Sequence, residues 1–80
     1  MVINKAISAA KKIVELEESE LDRYEEIKDM SLDIIRQIIQ SGQSVDQELY
    51  KFFDDFDIRR KDIEYREYQI GKIKSILSDG

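Results

Sequence analysis

Eighty residues suffice for one small domain, taken as residues 1–80, whose core is thin unless something reinforces it. The chain holds no Cys and no His, which excludes disulfides, thiolate or imidazole metal sites, and Ser-His or Cys-His nucleophilic catalysis. Charged residues make up 39% and hydrophobic ones 41%, too apolar for disorder, while a net charge of −5 argues against a general nucleic-acid-binding surface.

The chain opens Met1-Val2-Ile3-Asn4-Lys5, without a signal-peptide pattern, and no apolar run reaches membrane-spanning length. The expected address is therefore the cytoplasm, with no membrane partner. Proline is absent, so helix can propagate far from any point where it starts.

Periodicity predicts a first helix over about residues 3–41. Ile3, Ala6, Ile7, Ala10, Ile13, Val14, Leu21, Tyr24, Ile27, Ile35 and Ile38 share one face, widened by Leu16, Met30 and Ile34. That arc covers roughly half the cylinder, more than a two-helix seam needs. Glu17, Lys28 and Ser31 interrupt it, and polar groups in such seams can select register.

The stop signal is Ser41-Gly42-Gln43-Ser44-Val45-Asp46-Gln47, with the turn at about 42–44. Gly42 suits the left-handed position after a helix, and Ser44 with Gln47 reads as a capping box for the next one. A second helix is predicted over about 45–78, each helix on the order of 50–60 Å long. Leu49, Phe56, Ile63, Ile70 and Leu77 form a heptad line flanked by Phe52, Phe53 and Ile73. Ile58, Tyr65 and Ile76 lie on roughly the opposite side, with Tyr50 and Tyr68 between. Gly71, inside this helix, reads either as a tolerated or close-packed glycine or as a bend where a partner meets the helix end.

A short connection folds the two helices antiparallel. The acidic stretch 15–29 then lies beside Arg59, Arg60, Lys61 and Arg66, a match that fixes register more than stability. The expected fold is all-α: a long antiparallel two-helix hairpin, coiled-coil-like, that completes a four-helix bundle by dimerisation or by binding a partner.

Few residues offer chemistry. Glu17 with Glu20 and Glu15 with Glu18 stand on adjacent turns but lack the Glu-x-x-His pairs of di-metal bundles. Asp54-Asp55-Phe56-Asp57 lacks the glycine and spacing of a calcium loop. Arg59-Arg60-Lys61 could bind phosphate or nucleic acid, although pairing with the acidic stretch accounts for it better. No phosphate loop is present, and the expectation is no catalysis, no cofactor, no metal, no nucleic acid and no small-molecule substrate.

Gln47-Glu48-Leu49 after a short loop, followed by Phe52-Phe53 and Phe56, resembles the two-helix aspartyl-phosphate phosphatases of the sporulation phosphorelay. Their motif runs Ser-Gln-Glu-Leu-Asp, whereas here Asp46 stands for the Ser and Tyr50 for the activity-linked Asp. An amphipathic helix, a polar loop, then Leu49, Phe56, Arg59-Arg60 and Ile63 is similar to small flagellar and type III export chaperones, hairpins that hold a partner's terminal helix. The chain is assigned to neither family.

Apolar surface beyond the needs of one hairpin points to a protein-binding module of chaperone, adaptor or inhibitor type, or a homodimer. The expected partner-binding residues are Phe52, Phe53, Phe56, Ile58, Tyr65, Leu16, Met30 and Ile34. The alternatives are a regulator acting on an aspartyl phosphate, and an acidic phage-type decoy that uses residues 15–29 against a nucleic-acid-binding enzyme.

Overall fold

A computed structural model describes residues 2–19 and 21–78. Over this span helix accounts for 84% and no strand occurs. The elements are α1 (Val2–Glu17), α2 (Tyr24–Ser41), α3 (Gln47–Asp54), α4 (Phe56–Lys61) and α5 (Ile63–Ser78). Among the described residues no helix is long and apolar enough to cross a membrane.

The long hairpin is corrected by this structure: each of its two predicted helices is broken and folds back on itself. The fold measures 33 × 26 × 16 Å, far shorter than the rods expected. After Glu17 the chain leaves helix through Glu18 and Ser19, whose N–H groups bond to the carbonyls of Val14 and Leu16. Ser19 Oγ then accepts from Leu21 N at 3.2 Å, and Asp22 Oδ1 from Tyr24 N at 3.1 Å. Short polar side chains thus satisfy the backbone where helix would otherwise continue. Asp22, followed three residues later by Glu25, carries the spacing of a helix start.

At the second stop the expectation holds in its main feature. Gly42 ends α2 in the left-handed region with φ 68°, its N–H bonding to the Ile39 carbonyl. The cap of α3 differs: Asp46, not Ser44, accepts from Glu48 N, at 2.8 Å. Asp55 kinks the chain between α3 and α4, and Asp62, in extended conformation, divides α4 from α5 and accepts from Tyr65 N at 3.1 Å. Pairing of Glu48 with Lys72 and of Asp55 with Tyr65 shows α5 running back along α3.

The core is Ala6, Ala10, Ile13, Val14 and Leu16 of α1, Ile27, Ile34 and Ile38 of α2, Leu49, Phe52 and Phe53 of α3, and Ile70 and Ile73 of α5. The breaks split the predicted heptad line. Leu49 and Ile70 stay inside, but the turn at Asp62 swings Ile63 outward to 65% exposure. Arg59 takes the inward place beside Phe52 instead, with no surface open to water.

Candidate functional site

Where the α1–α2 turn meets the start of α5, the fold leaves a cleft of about 300 Å³. Its floor comes from Leu16 of α1, Tyr24 and Ile27 of α2, and Phe56 of α4, with the Tyr24 and Phe56 rings 6.1 Å apart. Leu21 and Ile63 also line it, and each is 65% exposed. Four arginines contribute as well: Arg23, Arg59, Arg60 and Arg66.

Each arginine is held differently. Arg59 Nε donates to Glu17 Oε2 at 2.6 Å, and its Nη1 donates to Gln69 Oε1 at 2.7 Å and to the Phe52 carbonyl. Its guanidinium also stacks 4.1 Å from the Phe52 ring centre, an arrangement suited to a planar cation. Arg66 Nε lies 3.3 Å from Glu17 Oε1, and Arg66 Nη2 donates to the Glu17 carbonyl. Arg60 stands 4.0 Å over Tyr24 and 3.7 Å from Asp22. Arg23 Nη1 pairs with Glu26 at 2.7 Å.

Burial pushes the Arg59 guanidinium below its ordinary pKa, opposed by the hydrogen bond and charge of Glu17. Behind it, buried Asp55 accepts from Tyr65 Oη at 2.6 Å and from Gln69 Nε2 at 3.1 Å. The bond to Asp55, then burial, holds the Tyr65 phenol up to about 12. Glu17, Arg59, Gln69, Asp55 and Tyr65 therefore form one network that ties α1, the α3–α4 junction, α4 and α5 together.

The partner-binding residues expected from sequence are distributed unevenly. Leu16 and Phe56 line the cleft. Met30 and Ile34 line a separate groove of about 450 Å³ with Ser8 and Ala9 of α1. Ile58 is exposed, and Tyr65 is half-buried with its hydroxyl committed to Asp55. Phe52 and Phe53 are corrected: both are fully buried in the core, because α3 turns its apolar face onto α1, α2 and α5. Leu16 and Ile34 also belong to the core, at 8% and 3% exposure. Glu20, the other half of the Glu17 pair, lies outside the described residues.

Arg23 and Arg66 belong to the cleft without having been singled out for it, and only their charge marked them. Gln47 and Glu48, the residues behind the phosphatase resemblance, are exposed at the start of α3, with Glu48 3.8 Å from Lys72. Among the described residues no group of three or more Asp or Glu is placed so that it could hold a metal ion. The cleft offers guanidinium groups, aromatic faces and aliphatic walls. Compared with known proteins, the chain matches no family model, no curated protein and no solved structure.

Proposed function

We propose that the chain is a cytoplasmic, non-catalytic protein–protein interaction module of chaperone, adaptor or inhibitor type, docking its partner in the cleft between the α1–α2 turn and α4–α5. The observation that carries this reading is that Leu21 and Ile63, each 65% exposed, line the same cleft as the Tyr24 and Phe56 rings. Covering a large aliphatic side chain is worth about 1.5–3 kcal/mol, and arginine and tyrosine around it are favoured interface residues.

Affinity capture from the source cell extract tests it, comparing the wild type with Leu21→Asp/Ile63→Asp. Both positions are exposed, so the variant keeps its helical spectrum. A protein held by the wild type and lost by the variant supports the reading; an identical set retained by both overturns it.

The homodimer has its own supporting observation on α2. Leu32 and Ile39 are 42% and 66% exposed, and with partly buried Ile35 they repeat at helical spacing. Self-association through this stripe replaces the bundle of two long hairpins, since the hairpin has folded on itself. Sedimentation of the wild type against Leu32→Lys/Ile39→Lys decides it, a dimer lost in the variant being the expected result. The decoy reading has less support, because Glu17, Glu18, Asp22 and Glu26 are each ion-paired within the chain. The phosphatase reading rests on the motif alone.

A further inference from the structure

We infer that the cleft recognises an acidic side chain set beside a large apolar one on a partner protein, its carboxylate accepting from Arg23 Nε and Arg59 Nη2. The inference rests on reading the cleft as a docking surface and names the chemistry of its occupant.

Three buried side-chain nitrogen or oxygen atoms have no hydrogen-bond partner among the described residues: Arg23 Nε, Ser31 Oγ and Arg59 Nη2. Two of the three belong to arginines lining the same cleft. Buried donors on a cation are costly to leave unsatisfied, so their coincidence at one cavity calls for an acceptor. The chain's own carboxylates there are already committed. Glu17 serves Arg59 Nε and Arg66, and Asp22 lies beside Arg60.

Four arginines line the cleft against Glu17 and Asp22, while Glu26 on Arg23 and Asp55 behind Arg59 supply two further carboxylates. The preference for an acidic group therefore comes from the two unpartnered donors and not from a net positive field. A carboxylate suits the two donors because its two oxygens together accept up to about four hydrogen bonds, from different arginines. The apolar half of the cleft then supplies a seat for a neighbouring Leu, Ile or Phe against Leu21, Tyr24, Phe56 and Ile63. A free inorganic anion would leave that half uncovered. Arg60, with its side chain half exposed, and Leu21, 65% exposed, stand on the solvent side of the cleft.

The test is a titration of the isotope-labelled full chain, followed by NMR. The probe is an Ala-Gln-based helical peptide of about 15 residues carrying one Glu and one Leu four residues apart. The control replaces that Glu by Gln. Expected are shifts at the Arg23 and Arg59 Nε–H signals and the Leu21 and Ile63 methyls, with the Glu peptide binding at least about tenfold more tightly than the control. Arg23→Gln, which retains the helical spectrum, brings the two peptides to equal affinity.

Equal binding of both peptides by the wild-type cleft overturns the inference while leaving the docking surface intact. The same shifts from inorganic phosphate or acetate at matched concentration overturn it in favour of a small-anion site. Shifts that grow with protein concentration before peptide is added overturn it in favour of a second copy. No shift at millimolar peptide also overturns it, and the capture experiment then decides the docking surface separately.

Discussion

Arg59 Nε stands 2.6 Å from Glu17 Oε2, joining the last residue of α1 to α4 across 42 positions of sequence, with both side chains withdrawn from water. This ion pair brings the α1–α2 turn onto α4 and so creates one wall of the cleft. Losing one member leaves the other charged and buried, at a cost of about 3–5 kcal/mol. Arg59→Met is therefore expected to lower unfolding free energy by that amount in urea titration. Glu17→Gln/Arg59→Met is expected to cost less than the two single changes added together, whereas strict additivity would show that the pair is not coupled.

Tyr65 carries a pH signature. Its hydrogen bond to Asp55 raises the phenol from 10.0 to about 12 in the folded chain. The neutral phenol is thus favoured by folding, and its contribution is complete below the unfolded pKa. It is lost as pH climbs from about 10 towards 12. Stability followed through this window should fall more steeply for the wild type than for Tyr65→Phe. The phenolate absorbance step near pH 12 should vanish in the variant, and a parallel loss of stability in both proteins would contradict the assignment.

Ser31 sits fully buried in α2 with its hydroxyl unpartnered among the described residues. Ser31→Ala removes that unsatisfied group, keeps the side chain small and improves helix propensity. A gain of about 1 kcal/mol in thermal or urea unfolding is expected. A loss would mean that the hydroxyl has a partner.

The two internal glycines are expected to answer in opposite directions. Gly71 lies inside α5, and a Cβ added there meets nothing within 4 Å, so neither close packing nor a break in the helix requires it. Gly71→Ala should stabilise by about 0.5–1 kcal/mol. Gly42 has equally open space but a φ of 68°, and Gly42→Ala should destabilise by about 1 kcal/mol. Unfolding midpoints of the two variants on either side of the wild type are the result to look for.

Local chemistry was legible in the sequence wherever it acted alone. Helix content followed from periodicity and the lack of proline, and Gly42 marked its stop. The meeting of acidic and basic stretches is present as Glu17 with Arg59 and Arg66, Asp22 with Arg60, and Glu18 with Lys74. The breaks were harder to see, because apolar spacing continues through Leu16, Leu21, Tyr24 and Ile27 and hides Ser19 and Asp22. Capping by short polar residues competes closely with continued helix, and tertiary burial decides between them. Folding back brings Ile13, Phe52, Phe53 and Ile73 to full burial, which two long rods in contact along one seam cannot do. The apolar surplus that pointed to a second chain is thus covered largely from within. What remains outside is smaller: Leu21 and Ile63 at the cleft, Leu32 and Ile39 on α2, and Ile3, Ile58 and Tyr68 elsewhere. Arg59 was marked as an ion-pairing residue, but its complete burial depends on the turns at Asp55 and Asp62.

Both the cleft and its arginines exist only if the chain doubles back at residues 18–23 and again at Asp62. Small-angle X-ray scattering, extrapolated to zero concentration, measures this directly. The Cα radius of gyration of the fold is 11.8 Å, and side chains and hydration add roughly 1–2 Å for a domain of this size. A value near 13 Å is the predicted result. A rod on the order of 55 Å long would instead give about 16–17 Å, and that result would remove the cleft and everything assigned to it.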